Sequence, residues 1–351
     1  MKMKAYQIVE WGRPAEFVDV EKPSPGPNEV LVRMKGAGLC RTDLDLMAAV
    51  PGVGPYTTVL PQGFTLGHEN AGLIEAVGKG VTDLVEGANV IVHHIHSCGN
   101  CVFCLRAVEQ HCSTYARGAM SLTRGLGLDG GLAPYMLVPR RELLPIGLLD
   151  PVDVAPLTDA GVTAYHAVKT VADRLRPGTV ATVIGVGGLG SYGVQLLKLM
   201  TEAKIVALDT SPERLAIARS LGADHAVCSN DDASDAIMDL THGYGSDVIL
   251  DFVGSNATLA IASRVSRPQG RIVIVGIEGG SLNVGWGSLA TSCEVAISMG
   301  STRADLMEIC ALAEQGKLKI DKELFAFEDV ELAYDRLRKG QLVGRAVVTF
   351  P

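Results

Sequence analysis

Three short patches carry the residue types from which a reactive metal centre could be built: G-L-C-R-T-D from Gly38 to Asp43, L-G-H-E from Leu66 to Glu69, and T-D-A-G from Thr158 to Gly161. Cys40, His68 and Asp159 offer a thiolate, an imidazole and a carboxylate, the protein-ligand count of a catalytic zinc whose fourth position stays open. Each alone reads as ordinary structure, since a buried Cys packs as a small hydrophobe, a lone His is a satisfied core residue and an Asp can cap a helix. Only a fold that gathers them makes a site.

Cys98, Cys101, Cys104 and Cys112 give C-x2-C-x2-C-x7-C. Four sulfurs this close can surround one tetrahedral zinc, and with no open position such a site is structural. Two local disulfides would need an oxidising compartment. A nucleic-acid-binding zinc ribbon would need more cations than Arg106 among its ligands.

G-V-G-G-L-G, comprising Gly185, Gly187, Gly188, Leu189 and Gly190, follows a predicted strand at 180–184 and precedes a predicted helix at 191–200. Asp209 closes the next predicted strand nineteen residues after Gly190, the spacing of a dinucleotide-binding β-α-β unit. Glycines admit the backbone to a pyrophosphate, the helix N-terminus offers unpaired N–H groups, and the carboxylate accepts from ribose hydroxyls. Asp209 would repel a 2′-phosphate, and Thr210, Ser211 and Pro212 add no cation, so NAD is expected over NADP.

A chain of 351 residues has room for two domains with well-buried cores. Residues 1 to about 155 read as short strands broken by Pro and Gly. Strand and helix then alternate, with further strands expected at 247–253, 271–275 and 294–298. Ser211, Pro212 and Gly222 supply helix start and stop signals. The tail reads as helices at 304–315 and 328–339 before a last strand, R-A-V-V-T-F. Repeated β-α-β units imply a parallel sheet with helices on both faces. The net charge of -8 argues against a nucleic-acid partner. No secretory signal opens the sequence, which points to the cytoplasm, and the uncharged run 177–197 is a strand turning into a helix rather than a membrane span.

Taken together, these motifs and G-H-E-N-A-G from Gly67 to Gly72 make the chain similar, over essentially its whole length, to the zinc-dependent medium-chain alcohol dehydrogenases. The resemblance implies an α/β protein with a GroES-like β catalytic domain at 1–158 and 302–351, carrying a structural-zinc lobe at about 94–114, and a Rossmann doubly wound parallel sheet at 159–301. Cys40, His68 and Asp159 would hold a catalytic zinc acting as a Lewis acid, with Asp43 orienting His68 and Glu69 just behind the metal or transiently on it. Thr42 would relay a proton, and Asp45, where some relatives have His, either receives it or faces solvent. Thr163, Val275 and Ile277 match positions flanking the nicotinamide, Arg41 and Arg345 match pyrophosphate contacts, and Arg214 matches a basic residue beside the adenosine ribose.

Relatives often have Cys where this chain has Asp159, but Asp occurs in a bacterial secondary-alcohol subset. The expected activity is therefore NAD-dependent interconversion of secondary alcohols and ketones, with primary alcohols a further class, in a homotetramer. A polyol or amino-alcohol dehydrogenase is the alternative enzyme, favoured by polar pocket walls at His94 and Asp45. A non-catalytic NAD-binding structural or sensing relative is the alternative outside enzymes. Substrate-pocket walls are expected from loops at 46–64, 114–128 and 281–292.

Overall fold

The computed structural model describes residues 1–114 and 122–351; the centre of the expected pocket loop at 114–128 lies outside them. The chain divides into two compact units, Met1–Val162 with Ser301–Pro351, and Thr163–Gly300.

In the first unit, the longest strand, Glu29–Gly38, is the spine of a seven-stranded sheet. On one side it pairs antiparallel with Glu69–Val77, which leads to Asn89–Val92 and Leu143–Pro145. On the other it pairs with the chain's last strand, Arg345–Thr349, which is parallel to Lys322–Ala326. Tyr135–Pro139 also pairs with the spine. The run V-L-V-R-M alternates too weakly for a one-faced strand, and Val30, Leu31, Val32 and Met34 are all buried, as in a strand covered on both faces. The register shifts between Leu31 and Val32 and between Met34 and Gly36, and beyond the second shift Gly38 pairs with Glu69. A methyl group at Gly38 would collide with the Glu69 carboxylate, so the missing side chain makes room for a buried acid.

The second unit is a six-stranded, fully parallel sheet in the order His225–Cys228, Lys204–Asp209, Val180–Ile184, Ser246–Asp251, Ser266–Ile274, Glu294–Ile297. Order reverses at Val180–Ile184, the switch point where ligands bind such sheets. The helix Pro212–Ser220 starts at a Ser211 side chain that accepts from Arg214 N–H, with Pro212 at its first position. Among the described residues, no helix is long and apolar enough to cross a membrane.

Candidate metal and cofactor sites

Each residue of the expected metal triad sits at the boundary of an element. Cys40, in an extended conformation, caps the short helix Arg41–Met47. His68 immediately precedes the strand Glu69–Val77, and Asp159 follows a 3-10 turn, Ala155–Thr158, before the helix Ala160–Lys169. The fold brings the three together, their ligand atoms all within 4.8 Å of one another. His68 Nε2 lies 3.4 Å from Asp159 Oδ2, close to the ~3.3–3.8 Å that separates tetrahedral ligands bound at zinc distances.

The charges around this cluster suit a cation. Burial opposes charge on His68, yet Asp43, Asp159 and Cys40 outweigh it and hold the imidazole pKa well above its usual value. Burial likewise opposes ionisation of Asp159, but His68, then His94 and Arg345, hold its carboxyl well below the usual range. A setting that retains a proton between a thiol, an imidazole and a carboxylate also stabilises a metal ion placed there. His68 Nδ1 faces Asp43 Oδ1 at 3.1 Å. The pair is close but off line and neither atom has another partner, so a small ring rotation completes the bond and leaves Nε2 for the metal.

Two fully buried acids brace this centre. Asp43 Oδ2 accepts from Cys40 N–H at 3.0 Å and from the Tyr334 hydroxyl at 3.1 Å. Glu69 Oε1 accepts from Ala160 N–H at 3.2 Å, one residue beyond Asp159, while Arg345 donates from Nε to Oε2 at 3.3 Å and from Nη2 to Oε1. Burial lifts the Glu69 carboxyl pKa to about 7, only partly offset by Arg345. The two-pronged contact with the guanidinium is what favours the ionised form against that burial. The resemblance sets Arg345 against a pyrophosphate. Here its fork holds Glu69, so a cofactor phosphate would meet only the remaining nitrogen.

Thr42 Oγ1 lies 3.7 Å from Cys40 Sγ and is half-buried, while Arg41 and Asp45 are exposed. The His93, His94 and His96 cluster divides into three roles. His96 Nδ1 meets Glu142 Oε1 at 2.6 Å. His93 is buried, which pushes its pKa down to about 3. His94 Nδ1 donates to the Thr158 carbonyl at 2.5 Å, and its Nε2 lies 3.9 Å from Asp159 Oδ1.

The four cysteines close around a second centre. Sγ–Sγ distances are 3.5 Å for Cys101–Cys104 and 3.9 Å for both Cys98–Cys104 and Cys101–Cys112, against ~3.8 Å for sulfurs bound tetrahedrally to zinc. Backbone N–H groups of Asn100, Ser113 and Cys98 point at the sulfurs of Cys98, Cys101 and Cys112, stabilising thiolates. Among the described residues, this cluster and the Cys40 group are the two that could hold a metal.

In the second unit the glycine loop turns at Gly185, whose φ is 82°. Gly190 begins the helix Gly190–Met200 so close to the Gly185 carbonyl that no side chain fits. Asp209 is buried and accepts from Val186 N–H at 2.7 Å and Ser211 N–H at 2.9 Å. It thus fixes the loop while each oxygen keeps a lone pair for a hydroxyl. Arg214 stands 3.9 Å from it. Thr163 and Val275 are buried and Ile277 is exposed.

The residue types had no way to announce Tyr334, 291 residues from Asp43, or the Thr158 carbonyl, which any residue would supply. Nothing in the tail marks Tyr334 as more than a core aromatic. A redox-inert metal with an open position, on a chain that also carries a dinucleotide-binding unit, is the equipment of a dehydrogenase.

Comparison with known proteins agrees. A family model described as the alcohol dehydrogenase GroES-like domain matches residues 26–147, and one described as zinc-binding dehydrogenase matches residues 188–315. An NAD-dependent alcohol dehydrogenase of Sulfurisphaera tokodaii is 35% identical, with 99% of each chain covered. A D-arabinose 1-dehydrogenase (NADP(+)) of Saccharolobus solfataricus is 32% identical, over 99% of this chain and 98% of that one. The solved alcohol dehydrogenase of Aeropyrum pernix superposes with a TM-score of 0.90 at 37% identity, covering 99% of this chain and all of the other. The chain belongs to the zinc-dependent medium-chain alcohol dehydrogenases. It is an oxidoreductase using NAD and zinc, as the motifs led us to expect.

Proposed function

We propose that the protein interconverts secondary alcohols and ketones, with primary alcohols and aldehydes as a further class. The reading rests on one observation above all, the convergence of Cys40, His68 and Asp159, which are the residues we assign to the catalytic zinc. Zinc held by these residues would supply Lewis-acid polarisation of the reacting oxygen, and NAD would supply the hydride acceptor or donor. Cys40 and His68 are oriented by Asp43, and Glu69 steadies the chain beside Asp159. We assign to the Thr42 hydroxyl, 3.7 Å from Cys40 Sγ, the relay that passes on the proton the alcohol loses, with the exposed Asp45 as its outlet. The loop Gly185–Gly190 and Asp209 hold NAD, with Thr163, Val275 and Ile277 toward the nicotinamide and Arg41, Arg214 and Arg345 toward the remainder. Cys98, Cys101, Cys104 and Cys112 hold the structural zinc.

Metal analysis of Asp159→Ala, with kcat/KM for a hydrophobic secondary alcohol, tests the assignment. One zinc should be lost of two, and activity should fall by at least about 10³. Retention of both metals and of activity would remove Asp159 from the site.

His94 favours a second reading, a hydroxylated substrate. Its Nδ1 is spoken for by the Thr158 carbonyl, and burial disfavours its charged form. Nε2 is then an acceptor beside Asp159, suited to a second hydroxyl next to the reacting carbon. The relative described as a D-arabinose dehydrogenase supports this. His94→Phe should reduce kcat/KM on a vicinal diol by roughly tenfold or more while sparing the corresponding mono-alcohol; equal effects on both would exclude it.

The chain is proposed to work in the cytoplasm as a homo-oligomer, a tetramer by family resemblance. Among the described residues Glu294–Ile297 is the edge strand of its sheet, and Ile297 is 81% exposed, which supports self-association.

A further inference from the structure

Asp43 joins the beginning and the end of the chain. Its carboxylate is fully buried and surrounded by three donors. Cys40 N–H and the Tyr334 hydroxyl share Oδ2, at 3.0 and 3.1 Å, and His68 Nδ1 lies 3.1 Å from Oδ1. One acid therefore touches the backbone of one proposed ligand and the ring of another. Tyr334 comes from the tail helix Val330–Arg338 and is 2% exposed. Its ring stacks on Tyr6 at a centroid distance of 6.0 Å and 24°, so the hydroxyl has little freedom to leave. Without that hydroxyl the stack on Tyr6 would persist, but the carboxylate could turn about its last bond, and turning moves both oxygens at once.

We propose that Tyr334 is a positioning residue of the catalytic metal centre: its hydroxyl locks the plane of the Asp43 carboxylate, and that plane sets how well Cys40 and His68 hold the metal. The proposal rests on the assignment of Cys40, His68 and Asp159 as ligands. Burial, reinforced by Asp43, keeps the phenol protonated and hence a donor. Partners one step behind a metal ligand govern affinity because they fix ligand direction and basicity. A tail residue distant in sequence can do this as well as a local one.

The test uses the full-length, zinc-loaded protein, with Tyr334→Phe and, as a control, Tyr6→Phe, which alters the same aromatic pair away from Asp43. A colorimetric chelator is titrated in and release of each zinc is followed alongside thermal denaturation. In Tyr334→Phe one of two zincs should be captured at roughly 10- to 100-fold lower chelator concentration, with the other unchanged. The cobalt-substituted variant should show a shifted ligand-field band, and Tyr6→Phe should match the parent in both readouts. Unchanged release from Tyr334→Phe would overturn the proposal. So would simultaneous loss of both metals as the protein unfolds, which would make the hydroxyl a general stability group. A parent that binds a single zinc would remove the ligand assignment and the proposal with it, whereas a two-zinc parent with an unaffected variant removes the proposal alone.

Discussion

Three histidines within four residues show how far identical chemistry can be divided by surroundings. His96 meets a carboxylate and His94 a carbonyl, but His93 Nε2 is buried without a partner. Burial, with the neighbouring His94 and Arg303, outweighs Asp305 and the Ser301 backbone and brings the His93 pKa down to about 3. In the unfolded chain the ring titrates near ~6.5. Between these values the unfolded state binds one more proton, so His93 stabilises the fold fully above pH 6.5 and loses that contribution as pH falls toward 3, by about 1.4 kcal/mol per pH unit. Urea denaturation from pH 7 to 4 should show a shallower loss of stability for His93→Gln than for the parent. Parallel slopes would mean that water reaches the ring.

The residues of the candidate triad were legible because Cys, His and Asp carry chemistry in their side chains. Tyr334 and the Thr158 carbonyl were not, because their roles depend on where a distant backbone happens to pass. The resemblance pointed Arg345 at a pyrophosphate, but its engagement with Glu69 was not legible, because a partner 276 residues away leaves no local pattern.

Among elements, the cysteine lobe is the least able to hold itself together. Its helix Val102–Leu105 and 3-10 turn Glu109–His111 are far too short for independent stability, so the sulfur cluster must organise them. The lobe also does something for its neighbours. Glu109 is buried and accepts from Arg303 N–H at 2.7 Å, placing a negative charge at the start of the tail helix Arg303–Glu314, where the helix dipole favours it.

Cys101→Ser should therefore bind one zinc fewer, retain the catalytic one, and melt roughly 3 °C lower, the shift that corresponds to ~2 kcal/mol in a chain of this size. Calorimetry with metal analysis checks it; an unchanged midpoint would make the lobe an ornament. The helix Pro212–Ser220 could be read from its caps alone. The strand Lys322–Ala326, K-E-L-F-A, could not, because it lacks alternation and gains its identity only by lying beside Arg345–Thr349. The helix Arg41–Met47 is likewise too brief for a periodic signal.

For the whole molecule, composition and the shift from broken strands to β-α-β repeats were enough to separate two kinds of architecture. What they could not reveal is that the last strand lies inside a sheet, between Glu29–Gly38 and Lys322–Ala326, since strand order is decided by long-range pairing. The other sheet ends in an open edge at Glu294–Ile297, with Val295 and Ile297 exposed and Trp286 nearby in sequence fully so. Exposed apolar edges invite pairing with another chain. Light scattering should give a multiple of the 37.0 kDa chain mass. Ile297→Lys should shift the population toward smaller species, and an unaltered mass would place the self-association surface elsewhere.

The interior position of that last strand also bears on how the protein comes to life. Tyr334 and Arg345, which grip the two acids behind the proposed ligands, are made only after Asp159, the last of those ligands in sequence order. A nascent chain can therefore display Cys40, His68 and Asp159 before it can hold them firmly, and secure loading with metal must wait until Tyr334 and Arg345 have been made. A product cut short by a late stop codon would keep every ligand and still be a poor keeper of zinc.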